Sequence, residues 1–347
     1  MNKKFIALAI AAAATATGAS AAEIAKNDTS SLEMGGRVEA RLAIQDGNVE
    51  DQSRVRLNFL GKTQITDGLY GLGFYEGEYK ATKYVDATDS AASKLASDTL
   101  EHRYMYTGIG GNFGEVTMGT VKGSLQTVTD FTDIMAYHGN SAAAKLDVAD
   151  RPDRSIAYSG EFSGVELRAN YAFASATRAD NDKNTLAKSD ENNGFAASAI
   201  YNIGDTGARV TGAFAKQDGL DGTKKVEAQE FMLGASYTIS DFYFAGLYTN
   251  VNTKKEGVSD EAKVNGYELA AAYTLGQAKF TSTYNRAEME SGSTKETGVD
   301  NFAVDASYFF NANFRTYVSY NFNLLKEDKV GKFAAQDQAV LGLRYDF

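Results

Sequence analysis

The sequence predicts an all-β fold, a sixteen-stranded antiparallel transmembrane β-barrel. Three observations carry that prediction. Apolar and polar residues alternate with a period of two along most of the chain, as they do where the two faces of a strand meet different surroundings. The chain holds 20 Tyr, 20 Phe and 33 Gly but one Pro, which suits a chain that is mostly hydrogen-bonded strand. Its connections are short on one side and long on the other, the pattern of a barrel with two unlike rims.

The chain opens on Lys3 and Lys4, a short apolar run "FIALAIAAAATAT" (5–17) and small residues at Ala19 and Ala21. The run is too short to span a bilayer and reads as a secretory signal peptide, residues 1–21, with cleavage after Ala21. The remaining 22–347 read as one barrel domain. Their formal charge is −12, two below the −10 of the whole chain because Lys3 and Lys4 leave. An acidic chain argues against nucleic-acid binding. There is no cysteine, so no disulfide framework and no thiolate metal site.

The strands follow in order. In "SLEMGGRVEARLAI" (31–44), Leu32, Met34, Val38, Leu42 and Ile44 share one face, and Glu33, Arg37, Glu39 and Arg41 the other. In "RVRLNFLGKTQI" (54–65), Val55, Leu57, Phe59 and Ile65 oppose Arg54, Arg56, Asn58, Lys62 and Gln64. The stretch 69–79 puts Glu76 and Glu78 on one parity, and 99–109 carries Arg103 on its polar face. Further strands are expected near 113–120, 151–160, 164–173, 194–203, 207–217, 228–239, 241–252, 265–275, 277–289, 299–310 and 314–325. The segment 241–252 is apolar on both faces, so its parity stays open. The last strand, "AVLGLRYDF" (339–347), alternates onto Phe347. A closed ring gives it a partner on both sides, and its apolar face then meets lipid. Short turns are "TDG" (66–68), "GGN" (110–112), "GDTG" (204–207), "SD" (240–241), "GQ" (276–277) and "NAN" (311–313). Long connections are 80–98, 121–150, 174–193, 253–264 and 326–335. A soluble sandwich alternates too, but about sixteen strands are too many for one.

The start "AEI", the strand "LEMGGR", "VRLNFLG", "RYMYTGIGGNFGEVTMG", the loop "DFTDIMAYHGN" and the ending "LRYDF" resemble the general porins of Gram-negative outer membranes, in particular their OmpU-type branch. The resemblance runs over nearly all of 22–347. It implies a homotrimer in the outer membrane, among lipopolysaccharide, that passes small hydrophilic solutes. It implies an inward-folded third loop, here 121–150, that narrows the lumen. Carried over by position, the pore constriction falls on Arg37, Arg56, Arg103 and Arg151 of the wall and Asp133 of the loop. Where many family members carry a glutamate four residues after that aspartate, this chain has Tyr137, and the Pro-Glu-Phe-Gly-Gly run reads Ala136-Tyr137-His138-Gly139-Asn140. Tyr345 and Phe347 fall on the C-terminal strand that the outer-membrane assembly machinery reads in this family.

The residues agree with that carry-over. Arg37, Arg56 and Arg103 lie on the polar parity of their strands, and an arginine facing lipid at mid-membrane is costly. Glu76 and Glu78 point inward with them as lumen acids. Facing carboxylates and arginines set a transverse field that orients polar solutes and disfavours apolar ones. Acids near the mouths, among them Asp86, Asp98, Asp182, Asp260 and Glu261, predict a modest preference for cations. Arg154 has the opposite parity to Arg151 and reads as a rim or subunit-contact residue.

Other chemistries are weaker. "DNDKNTLAKSDE" (180–191) matches the acidic spacing of a calcium loop, but Thr185 stands where the turn needs glycine. Only His102 and His138 are available for acid–base work, and nothing marks a nucleophile, so no catalytic residue, cofactor or metal is expected. Adhesion by the long loops is the second reading.

Overall fold

The computed structural model describes residues 21–80, 100–174, 176–178, 186–188, 192–221 and 224–347. Residues 1–20 of the expected signal peptide, 81–98 of the expected loop 80–98 and most of the calcium-loop-like stretch lie outside the described residues.

The strands of the ring are β1 (Ser30–Gln45), β2 (Arg54–Thr66), β3 (Leu69–Lys80), β4 (Leu100–Gly111), β5 (Gly114–Thr120), β6 (Ser155–Phe162), β7 (Val165–Ala172) and β8 (Asn193–Asn202). They continue as β9 (Ala208–Asp221), β10 (Lys224–Ile239), β11 (Phe242–Lys255), β12 (Ala262–Leu275), β13 (Ala278–Ser291), β14 (Thr294–Phe309), β15 (Phe314–Asn323) and β16 (Gln338–Asp346). Each pairs antiparallel with the next. β16 returns to β1, with Asp346 opposite Arg37 and Ala339 opposite Ile44. Two-residue alternation therefore translates into a closed sixteen-stranded barrel without free edges.

The seam is built from both ends of the chain. The short strand Ala22–Lys26 pairs with the lower part of β1, Ala22 opposite Met34. Phe347 exchanges two backbone hydrogen bonds with Gly36, 2.9 and 3.0 Å. The N-terminal segment and the C-terminal strand thus share one lane beside β1, end to end. Gly36 is required there, because a Cβ would stand 2.4 Å from the Arg56 carbonyl and 2.8 Å from the Phe347 ring.

Two expectations change in detail. β6 begins at Ser155 rather than 151, because 151–154 still belong to the preceding loop and Arg154 turns into the strand with φ +46°. In 241–252, Phe242 and Phe244 face outward, while Tyr243 faces inward and donates its hydroxyl to the Phe131 carbonyl at 2.7 Å. A lumen-facing aromatic with a buried acceptor explains why that strand is apolar on both faces.

The outside is apolar, and aromatic rings form two belts over β8–β15. The upper belt includes Phe195, Phe214, Phe231, Tyr267, Phe302 and Phe322, all exposed. The lower belt includes Tyr201, Tyr237, Phe242, Tyr308 and Phe314. On β8, β10 and β14 the two belts are six residues apart, about 20 Å of strand. Such paired belts mark the two interfaces of a membrane. The outer face of β1 carries aliphatic residues instead, Val38, Leu42 and Ile44.

Candidate functional site

The segment 121–154 leaves β5 and folds into the barrel. Its neck is held like a hairpin: Val121 N–H donates to Pro152 O (3.1 Å), Gly123 N–H to Asp150 O (2.7 Å) and Leu125 N–H to Ala149 O (3.2 Å). Gly123 permits this approach, since a Cβ would meet the Ala149 carbonyl at 2.2 Å. One helical turn, Gln126–Thr129, follows. Its apolar underside, Leu125 and Val128, is fully buried over small wall residues, Ala196, Ala213 and Ala215, with Met232 and Leu247. Further along, Phe131 packs on Ile200, Ala245 and Ala270. The wall keeps small side chains where the loop lies on it.

Three wall carboxylates dock the loop through its backbone. Glu230 on β10 accepts from Leu146 N–H (2.8 Å). Glu268 on β12, 1 % exposed, accepts from Ala142 and Ala143 N–H (both 2.9 Å) and from Thr132 Oγ1 (2.5 Å). Asp305 on β14 accepts from Ala136 N–H (2.5 Å) and from the Thr281 hydroxyl. These satisfy loop amides that have no strand partner, and a charged acceptor makes each bond stronger than a neutral one.

The loop tip is pinned by Tyr137 and His138. Tyr137 packs with Ala43, Tyr317 and Val340, donates its hydroxyl to Gln52 Oε1, and lies under the Arg41 guanidinium at 5.0 Å. His138 Nδ1 accepts from Ser319 Oγ (2.7 Å), and its Nε2–H donates to Gln338 Oε1 (3.2 Å). Burial lowers the His138 pKa to about 4. The Tyr137 phenol is raised, mainly by burial, and stays neutral. The residue in the place of the family's glutamate is therefore an aromatic clamp, not a lumen charge.

Opposite the loop, the wall carries interleaved charges. Arg54 bridges Glu39 (2.9 Å) and Glu78 (3.2 Å). Arg56 contacts Glu78 (2.5 Å) and Glu76 (3.7 Å), and Arg103 holds Glu76 at 2.7 Å. Arg41 meets Glu39 at 3.0 Å and donates to the Tyr317 hydroxyl (3.0 Å), which donates to Glu39 (2.9 Å). Arg37 is 7 % exposed, and its ion pair with Glu39 is long, 3.9 Å. Cross-strand register explains the interleaving: Arg37 stands opposite Arg56, Arg56 opposite Glu78, and Asn58 opposite Glu76.

Arg37, Arg56, Arg103, Glu76 and Glu78 are thus brought together on one wall. Two of the expected residues sit differently. Arg151 lies at the loop's end, not on a strand, and pairs with Glu101 (3.1 Å) and Asp150 (3.5 Å). Asp133 makes no ion pair with the wall arginines among the described residues. Its carboxyl faces the lumen, and enclosure by the barrel, with Asp130 beside it, raises its pKa. The wall arginines are balanced chiefly by glutamates on neighbouring strands. Sequence reasoning named Glu39, Arg41 and Arg54 only as polar-face residues and missed Glu230, Glu268 and Asp305. An acid on the lumen parity of an otherwise small and apolar row, as in Ala228-Gln229-Glu230-Phe231-Met232, was the available signal.

Residues 7–328 match the family described as Gram-negative porin. "Outer membrane protein U" of Vibrio parahaemolyticus is 50 % identical over the full length of both chains. Among solved structures, Salmonella typhi OmpF in complex with daunomycin superposes with a TM-score of 0.75 at 21 % identity, over 93 % of this chain and 99 % of that one. The trimer form of OmpT of Vibrio cholerae gives 0.71 at 16 %, over 92 % and 100 %.

Proposed function

This chain belongs to the Gram-negative porin family of the outer membrane, and from that premise we propose that it is a water-filled channel for passive diffusion of small hydrophilic solutes and ions, not a catalyst. The observation that carries the reading is a loop docked inside a closed barrel, facing a wall of charge. The charged eyelet comprises Arg37, Arg56 and Arg103 with Glu76 and Glu78, joined by Arg151 and Asp133 near the loop. Fixed charges on a narrow lumen favour polar, oriented solutes. Modest cation preference comes from acids at the mouths, Asp260 and Glu261 among them, which raise the local cation concentration.

The assembly proposed is a homotrimer. The aliphatic outer face of β1, bare of aromatic belts, is the face to be covered by a neighbour, and the belted face of β8–β15 meets lipid. Above the upper belt, an outward network joins Arg286 to Asp300 (2.6 Å) and Glu288 (2.9 Å), and Lys295 to Glu288 (3.0 Å). It suits the charged headgroups of lipopolysaccharide. Tyr345 and Phe347 on the terminal strand are the feature offered to the barrel-assembly machinery. Residues 1–21 are proposed as a signal peptide; cleavage after Ala21 makes Ala22, the first residue of the short strand paired with β1, the start of the exported chain.

Reconstitution in planar bilayers tests the channel. Discrete conductance steps are expected, with a cation-positive reversal potential at low salt. The preference fades as salt rises, since screening acts over about 8–10 Å under physiological conditions. Anion selectivity at low salt would show that the arginine wall dominates. A silent bilayer would favour the second reading, adhesion by the long loops.

A further inference from the structure

Ion pairing on the charged wall leaves two arginines over. Glu39 is shared by Arg41 and Arg54, Glu78 by Arg54 and Arg56, and Glu76 is held by Arg103. On β16, Arg344 takes both oxygens of Asp346 through Nε, at 2.8 and 2.9 Å. Arg37 is left with a contact of 3.9 Å to a carboxylate that already serves two guanidiniums. Arg315 on β15 has no carboxylate within ion-pair range among the described residues, and its guanidinium lies over the Phe309 ring at 5.3 Å. The Nε atoms of both Arg37 and Arg315 are buried without a hydrogen-bond partner.

These two residues are neighbours on the lumen side. Arg315 stands opposite Arg344, and Arg37 opposite Asp346, with β16 as the single strand between them. Their Cα lanes are therefore about 10 Å apart, within reach of two long side chains that converge on one group. Asp346 lies between them, but Arg344 neutralises it. The loop acid Asp133 acts on Arg37 only through space, because no ion pair joins them among the described residues. Asp346 and Glu39 act on Arg315 from a distance and Glu39 on Arg37, but each of these carboxylates is already held by another arginine. An enclosed cation whose counter-charge is shared in this way is expensive, and an anion from the lumen would offset the deficit.

We propose that Arg37 and Arg315 form an anion-binding subsite on the channel wall, toward the short-turn end, that takes an oxyanion group: a phosphate or the carboxylate of a passing solute. The proposal rests on the channel reading above and names a solute class for it. Guanidinium forks match planar carboxylate and tetrahedral phosphate oxygens. An anion seated there cancels surplus wall charge, so the subsite is compatible with a cation preference set at the mouths.

The test is block of single-channel current by inorganic phosphate, and separately by citrate, in about 0.1 M KCl at neutral pH, where mouth charges act over about 10 Å. The parent should show dose-dependent block. Arg315→Gln and Arg37→Gln should each weaken it by about tenfold, the worth of one charge-assisted contact. Lys329→Gln, an exposed residue of the 326–335 connection, should leave it unchanged. Arg315 carries the experiment if the buried Arg37 variant fails to fold, which heat-dependent gel migration reveals. Block by phosphate alone or citrate alone supports the subsite and fixes which oxyanion it takes. Block of Arg315→Gln at the parent's affinity, or no block of the parent by either anion, overturns it. A parent with no conductance steps overturns the channel reading instead.

Discussion

His138 shows how a single side chain couples loop to wall. Its docked form is neutral, with one ring nitrogen accepting from Ser319 and the other donating to Gln338. Protonation turns Nδ1 from acceptor to donor, so the Ser319 hydroxyl must reverse its bond, and it places a charged ring where burial disfavours one. A histidine pKa held down at about 4 means that the docked loop prefers the unprotonated ring. Docking is intact above the ordinary value of about 6.5 and weakens as pH falls toward 4, by up to about 3 kcal/mol. Open-channel noise should rise over that window and stay flat in His138→Gln; a pH-independent parent would remove His138 from the clamp. Arg56 and Arg103 act on the solute side. Arg56→Ala or Arg103→Ala removes bulk and positive charge facing the lumen, and conductance should increase by less than about twofold with a shift toward cations. If both variants conduct and select like the parent, the eyelet lies elsewhere.

Among the elements, the inward loop depends most on a few contacts. Glu268→Ala takes the acceptor from Thr132 Oγ1 and from two adjacent amides, at a cost on the order of 3 kcal/mol. The loop should loosen, and conductance and its fluctuation should both grow. Glu230→Ala frees one amide, that of Leu146, and should do less. Equal behaviour of the two would mean that the apolar underside, Leu125, Val128 and Phe131, holds the loop alone. The strands themselves were legible because alternation in this chain is set by two solvents, lipid and water, and each leaves its mark on every second residue. The boundary of β6 was not, since Arg151-Pro152-Asp153-Arg154 is polar on both parities and the loop simply runs on to Ser155. The wall charges were legible as a face and not as pairs. Register decides that Arg56 meets Glu78, and register is a property of two strands together. The docking acids were harder still, because Glu230 and Glu268 bind loop amides 84 and 126 residues away, and no periodicity reaches that far.

At the scale of the whole molecule, every strand of the ring has two partners, and an unmade backbone bond in lipid is prohibitive. Unheated samples should therefore migrate differently from boiled ones on SDS gels, and as oligomers if the proposed trimer holds; migration at monomer mass in both, with β circular dichroism lost in mild detergent, would contradict the closed barrel and the proposed trimer alike. The seam beside β1 has a further consequence, for the order in which the protein is made. Fifteen of the sixteen pairings join neighbours in sequence, but β1 and β16 join residues about 300 positions apart, as Arg37 and Asp346 are. Closing a loop of that length costs about 5 kcal/mol of chain entropy, against about 1–2 for a hairpin. That term is offset only when the whole of 338–347 zips onto β1 at once, so the ring shuts last and in a single step. A nascent chain cut short before Gln338 loses the β15–β16 hairpin, keeps the fourteen pairings from β1 to β15, and presents two bare edges, at the upper part of β1 and at β15, ready to pair with any strand they meet.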